Sequence, residues 1–373
     1  MEAKPWRLRQ RARLNLLLAQ NCAHATLWSL QDALGWKTPA LLRAATNFEG
    51  GVVGCGETCG VVTGGILAIG ATLGVATTAE PDAREEAILG LAARYLSWFE
   101  GRFGTSLCRE RVQVDFHRAR GLVRYLLPGD KLFKCLHHTG EAVAFLAAAL
   151  AEETGAGPTP ETMPGRPDGQ LSAAGRPSDN PYPQGCERGR AAEQVSRLKT
   201  DSAAGLAPAS GPQEPHCAWT VLKSIHSVQT LEDERVIWAA TGLGGGLALN
   251  GAVCGALLGG ILAIGLRYGY DVRKMSLAAV TRAFLRGHRS LLQTGREPPR
   301  PEAFARSKYL AEGFQERFGS LRCAEIAGRS TPSVPGARFF PSRETLGSFL
   351  RESDKCQAIM SWCTGEGRRL ALE

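Results

Sequence analysis

The 373-residue chain has no C-x-x-C and no C-x-x-C-H, so it offers neither a thioredoxin-type couple, a zinc-ribbon knuckle nor covalent haem attachment. It also lacks a G-x-G-x-x-G after a strand, a Walker loop and a Ser–His–Asp signature, which removes the common nucleotide-binding and hydrolase readings. Runs of alternating β-branched residues are nearly absent, leaving little from which to build a sheet. The 44 glycines and 20 prolines follow no three-residue period, which excludes a collagen-like chain. Eleven cysteines are too sparse for a small disulfide-stapled scaffold and more than a typical cytosolic enzyme needs. The net charge of +8 leaves weak affinity for nucleic acid or anionic lipid open, but without a mapped patch it is read as solubility, with no nucleic-acid partner.

At 44% hydrophobic the chain can bury proper cores. It opens with Lys4, Arg7, Arg9, Arg11 and Arg13, followed by an apolar run, Leu14–Ala19, that is too short for a secretory segment. This start reads as an amphipathic helix of a cytoplasmic protein. From Thr154 to about Pro215 periodic apolar positions almost vanish among Gly, Pro, Ala and Ser, which predicts a long disordered linker. Residues 1–153 and 216–373 remain as two globular domains. Segments such as Glu85–Phe103 and Glu141–Glu153 place apolar residues three and four apart, so the expected class is all-α.

The two domains repeat each other. Ala44-Ala45-Thr46 recurs as Ala239-Ala240-Thr241, and Gly64–Gly70 recurs letter for letter as Gly259–Gly265, both at an offset of 195. Arg102-Phe103-Gly104 recurs as Arg317-Phe318-Gly319 at an offset of 215, which implies a 20-residue insertion in the second copy. Gly50–Ala79 holds one charge and Thr241–Leu266 none, long enough for membrane spans. Glycine crowding and amphipathic flanks without Trp or Tyr belts favour buried central helices instead. Gly56, Gly60 and Gly64, like Gly251, Gly255 and Gly259, are four apart and predict a bare stripe on one helix face. That stripe packs either within its own domain or against the other in an intramolecular pairing.

The cysteines follow the repeat. Cys22 matches Cys217, Cys59 matches Cys254, Cys108 matches Cys323, and Cys135 matches Cys356 after a further small gap. Cys55, Cys186 and Cys363 have no partner. Four matched pairs in copies that have otherwise diverged argue for chemistry rather than packing, because Ala, Ser or Val replaces cysteine wherever only volume matters. Four thiols per domain suit a closed metal or iron–sulfur site or two dithiol couples. Cys59 and Cys254 each follow a glycine-rich turn and open an apolar helix. There a thiolate would feel the positive helix end, although the glycines also read as mere tight packing. Glu57 would oppose thiolate formation at Cys59. His138, three residues after Cys135, reads as part of a solvated helix face, since Ile359 stands at the matching place. His24 as a base is disfavoured by Trp219 in the second copy. Cys363, seven residues after Cys356, either pairs with it or packs.

With Asn21 before Cys22, Cys59-Gly60-Val61-Val62-Thr63-Gly64, and Phe-Gly shortly before Cys108 and Cys323, both copies resemble the C_GCAxxG_C_C family of redox-active proteins. The second copy carries the pattern as Cys217, then Cys254-Gly255-Ala256-Leu257-Leu258-Gly259, Cys323 and Cys356. It departs from the first by Ala252 in place of Glu57 and by His216 before its first cysteine. The resemblance implies redox activity, with cluster or metal binding, and no particular substrate. The resulting expectation is an all-α protein of two homologous domains with buried glycine-rich central helices. Each domain would use its four cysteines, Cys22, Cys59, Cys108 and Cys135 or Cys217, Cys254, Cys323 and Cys356, as reactive thiols or as ligands of an iron–sulfur cluster or zinc. Its partner would be a redox protein. The alternatives are a glycine-rich integral membrane or membrane-associated protein, and a structural tandem-repeat module whose cysteines only pack.

Overall fold

In the computed structural model the described residues are 5–76, 80–116, 118–127, 129–155, 216–226, 234–292, 302–328 and 338–372. The expected linker, from residue 156 onward, lies outside them, as does Cys186. The first copy supplies α1 (Pro5–Ala19), α2 (Cys22–Leu34), α3 (Pro39–Ala44), α4 (Gly60–Ala76), α5 (Pro81–Phe103), α6 (Cys108–Val112), α7 (Ala119–Leu126) and α8 (Asp130–Glu153). The second supplies α9 (Cys217–His226), α10 (Glu234–Thr241), α11 (Gly255–Tyr268), α12 (Leu277–Leu292), α13 (Ala303–Phe318), α14 (Cys323–Ile326), α15 (Arg343–Glu352) and α16 (Asp354–Leu372). Helix α12 falls in the insertion and has no counterpart in the first copy. Among the described residues there is no strand, only the isolated bridges Thr58–Leu107 and Val253–Arg322, one per copy. The fold class is all-α.

The apolar segments resolve into two parts. Their second halves are α4 and α11, in which Ile66, Leu67 and Ile69, and likewise Ile261, Leu262 and Ile264, are fully buried. No helix among the described residues is long and apolar enough to cross a membrane. Their first halves are not helical in the ordinary sense. Residues 50–54 all have positive φ, including Val52 at 60° and Val53 at 54°, and residues 245–249 repeat this with Leu247 at 61°, Ala248 at 50° and Leu249 at 65°. A left-handed turn of five residues brings Cβ close to the following carbonyl at each non-glycine position, at roughly 1–2 kcal/mol per residue. The strain is compensated by backbone bonds that recur between copies. Gly56 N donates to Gly50 O and Glu57 N to Gly51 O, as Gly251 N does to Gly245 O and Ala252 N to Gly246 O.

Gly56 and Gly251 therefore lie in these turns, at φ 74° and 71°, and not on the helices, so the expected stripe of three shortens to two on each helix. Gly60 and Gly64 of α4 pack against Cys22 and Ala23 of α2, and Gly255 and Gly259 of α11 against Cys217 and Ala218 of α9. The bare stripe thus serves the interior of each copy. The copies meet through different glycines. A Cβ on Gly70 would lie 2.8 Å from Ala239 Cα and collide with the Trp238 carbonyl, and one on Gly265 would lie 2.9 Å from Ala44 Cα and collide with the Ala44 carbonyl. Since Gly265 matches Gly70 and Ala239 matches Ala44, the contact is pseudo-symmetric: α4 takes α10, and α11 takes α3. Buried residues of both copies merge into one continuous apolar cluster.

Candidate functional site

In each copy three cysteines stand where a helix begins. Cys22 opens α2 behind its cap, Asn21, whose side chain accepts from His24 N. Cys59 immediately precedes α4, and Cys108 opens α6. Two backbone bonds clip these last two segments together, Cys59 N to Ser106 O and Cys108 N to Glu57 O, both 2.8 Å. The second copy repeats the clip with Cys254 N to Leu321 O at 2.8 Å and Cys323 N to Ala252 O at 2.7 Å. Cys135 lies one turn inside α8, and Cys356 in the first turn of α16.

Asn21 has a second task. Its Nδ2 donates to Thr46 O at 2.9 Å, and at the matching position His216 Nε2 bonds Thr241 O at 2.8 Å. The bulkier imidazole fills the space where a Cβ on Gly244 would sit, which explains why Gly244 replaces Glu49 in the second copy. The departure at His216 thus conserves the anchor. Burial lowers the His216 pKa to about 4, so the ring is neutral near pH 7 and carries the N–H that the bond needs.

The structure brings Cys22, Cys59, Cys108 and Cys135 together, since ionisation of Cys22 is opposed by each of the other three. Cys22 and Cys59 share a side-chain hydrogen bond. That bond, helped by Arg111 and by the amides of Val61 and Val62 at the head of α4, lowers the Cys59 pKa to about 6 against the effect of burial. The same bond, together with burial, pushes Cys22 well above its ordinary value. Burial and the Cys59 charge raise Cys108 strongly and Cys135 to about 11. One thiolate is therefore set among three thiols. Glu57, the expected opponent of that thiolate, is itself paired. Its carboxylate is held by Arg109 Nη1 at 2.6 Å and, from the second copy, by Arg322 Nε at 3.1 Å.

Sequence reasoning passed over Arg111. It is buried, donates to Thr105 O at 2.8 Å, and stacks 4.4 Å from the Phe99 ring and 5.1 Å from Phe103. His138 is not a solvated face, as expected, but half-buried, with Nδ1 accepting from Arg111 Nη2. Burial and then the Arg111 charge hold its pKa near 3, so it accepts as a neutral ring. Tyr95 and Tyr125 were also missed. Tyr95 Oη donates to Val61 O at 3.0 Å beside Cys59, and the Tyr125 hydroxyl donates to the Cys135 sulfur. The available signal was the difference between copies: Arg111 corresponds to Ile326, His138 to Ile359 and Tyr95 to Leu310.

Cys217, Cys254, Cys323 and Cys356 are likewise neighbours, and Cys363 joins Cys254 and Cys217 rather than pairing with Cys356. Among the described residues the strongest influences on this group include no arginine. Burial pushes Cys217 to about 11 and Cys254 to about 12, and raises Cys323, Cys356 and Cys363. All five stay protonated near pH 7. His24 is buried, bonded to Leu42 O at 2.8 Å and depressed to about 4 by burial, a structural ring apart from the thiols. Cys55 is disulfide-bonded, whereas the eight matched cysteines and Cys363 are free.

Among the described residues no group of three or more His, Cys, Asp or Glu side chains is arranged to hold a metal ion. A cysteine-ligated centre would have to displace the protons of these thiols as it bound.

Fold and site together define a duplicated all-helical protein with four neighbouring cysteines in each copy. The family model described as "Putative redox-active protein (C_GCAxxG_C_C)" matches residues 20–149 and 215–365, and the chain belongs to that family as a tandem duplication. No curated protein and no solved structure matches the chain.

Proposed function

We propose that the first copy is a thiol–disulfide redox module in which Cys59 is the attacking thiolate and Cys22 the resolving thiol. The observation that carries this reading is the Cys22 sulfur lying over Gly60, directly after Cys59, with Cys59 lowered to about 6 by its interaction with Cys22. A thiol of pKa just below the ambient pH combines a high thiolate fraction with retained nucleophilicity. Cys59 Sγ⁻ attacks one sulfur of a partner disulfide, forming a mixed disulfide and releasing the other partner sulfur as thiolate. Cys22 then loses its proton to the released thiolate and attacks the Cys59 sulfur, expelling the second partner thiolate. The products are a Cys22–Cys59 disulfide and a reduced partner, two electrons having moved. A second dithiol protein returns the pair to its reduced state by the reverse exchange. Arg111, held by Phe99, Phe103 and His138, is the positioning residue that supports the charge on Cys59.

The second copy serves this reading as a scaffold. Among the described residues no arginine is a leading influence on its thiols, and its Arg322 helps neutralise Glu57 beside the active pair. The test is equilibration of the full chain in thiol redox buffers, followed by acid quenching and peptide mapping. A Cys22–Cys59 disulfide forming as the first cross-link among the eight matched cysteines is the expected result. A first cross-link elsewhere, or none over the accessible range, overturns the assignment.

A further inference from the structure

We infer that the face built by α1, α7, the start of α8 and α12 binds the surface of an anionic lipid membrane, without any helix crossing it. The inference stands apart from the thiol chemistry and begins with α12, the helix that only the second copy has. It does not stay on its own copy. Thr281 accepts from Gln20 Nε2 at 2.8 Å, just beyond α1, and the His288 ring lies 5.8 Å from Phe116, which in turn meets Tyr125 of α7 at 5.4 Å. Val280 shares a small apolar cluster with Leu16 and Ala19 of α1 and Leu136 of α8. The four elements are therefore neighbours on one side of the first copy.

Each of them carries apolar side chains outward. On α1, Leu14, Leu17 and Leu18 are exposed at three- and four-residue spacing, and Val123 and Leu126 of α7 with Leu127 just beyond it repeat the spacing. On α12, Leu277, Leu285 and Leu292 fall within about one quadrant of the helix. Phe133, on α8, is 70% exposed. An amphipathic helix ordinarily turns such a stripe to the core. Among the described residues twelve large hydrophobic side chains are exposed: ten lie on these elements, Leu127 directly follows α7, and only Leu372 lies elsewhere. Concentration of that degree marks an interaction surface rather than scattered exposure.

The charge on the same face is predominantly of one sign. Helices α1, α7 and α12 contain no Asp or Glu and nine arginines. The nearby acids are taken: Glu141 by Arg9, Asp32 by Arg11, Asp115 by Arg118, and Asp130 by Lys131. No ion pair among the described residues uses Arg120, Arg124, Arg282 or Arg286, which are exposed beside the apolar stripes. Arginine interleaved with leucine along helices lying on a surface is the chemistry of an interfacial anchor, apolar side chains entering the acyl boundary and guanidinium groups meeting lipid phosphates. The pattern runs over three separate helices, and a fluid sheet of phosphates can match it without a fixed partner shape. Bound in this way, the protein would hold half-buried Cys22 and Cys135, which pack against the same small cluster, under the lipid-facing side.

The test is co-sedimentation of the reduced full chain with vesicles of phosphatidylcholine alone and of phosphatidylcholine with phosphatidylserine. The expected result is binding to the anionic vesicles that weakens as salt is raised. Arg282→Gln and Arg286→Gln, both at exposed positions, should each weaken it about fivefold. Leu285→Glu should weaken it further while the helical circular dichroism and the free-thiol count stay those of the parent. Absence of sedimentation with either vesicle, equal binding to both, or binding that ignores all three substitutions would overturn the inference. Capture by soluble polyglutamate without vesicle binding would also overturn it, in favour of an acidic protein partner.

Discussion

The sulfur of Cys22 occupies the place where Gly60 would carry a Cβ. Glycine directly after Cys59 is what lets α2 and α4 bring the two sulfurs into one hydrogen bond, and Cys217 stands over Gly255 in the same way. A Cβ on Gly60 would also come within 2.7 Å of Phe48 O, which is backbone and cannot swing aside. Gly60→Ala should therefore destabilise the protein by about 1–3 kcal/mol and separate the thiols. Urea midpoints and the yield of the Cys22–Cys59 disulfide are the two readouts. A normal disulfide yield in the variant would show that the glycine is not needed to bring the sulfurs together.

Alkylation rates, followed cysteine by cysteine against pH, test the thiolate. Cys59 should be half ionised near pH 6, while every matched cysteine of the second copy stays slow to pH 9 and beyond. Cys22→Ala and Arg111→Met should each move the Cys59 midpoint upward, by about one unit or more. Arg111→Lys should move it less. The sign for stability follows from a pKa depressed by folding, from the ordinary 9.0 to about 6. The contribution of Cys59 is complete above pH 9 and fades as pH falls toward and through 6. Cys59→Ser should remove that part of the pH dependence.

Glu57 joins the copies. Its carboxylate is buried and faces two guanidinium groups, one from each copy. Glu57→Gln leaves both arginines with less than their charge requires and should cost about 3–5 kcal/mol, as for other buried pairs broken on one side. A double-mutant cycle with Arg322→Gln should show coupling between positions 265 residues apart in sequence. Arg322 is partly exposed, so its own share should be smaller than that of Arg109.

The copies should remain together after the chain between them is cut. Proteolysis within residues 156–215 is expected to yield two fragments that co-elute in size exclusion. Gly70→Ala and Gly265→Ala, which force Cβ atoms onto the Trp238 and Ala44 carbonyls, should promote their separation. Fragments that part in the unsubstituted protein would mean that the interface is too weak to hold without its tether.

Self-comparison of the sequence established the duplication, the helical class and the eight cysteines that recur in register, because repeats and three- to four-residue apolar spacing are local properties of the chain. It also placed Cys59 at a helix start. It could not see that Gly50–Gly54 winds left-handed, since Val52 and Val53 are residues that disfavour that region and only surrounding bonds hold them there. Nor could spacing tell which glycines serve the interior of a copy and which serve the meeting of copies. Gly60 and Gly64 differ from Gly70 only in what crosses them. The tertiary structure decided the electrostatics as well. Arg111, three residues after Cys108, becomes the support of Cys59 only because Phe99, Phe103 and His138 converge on it from other helices. Its counterpart Ile326 leaves an equally clustered set of thiols protonated. A thiol's pKa is set by burial and by charges brought near through long-range packing, and that packing is what the order of residues alone left undecided.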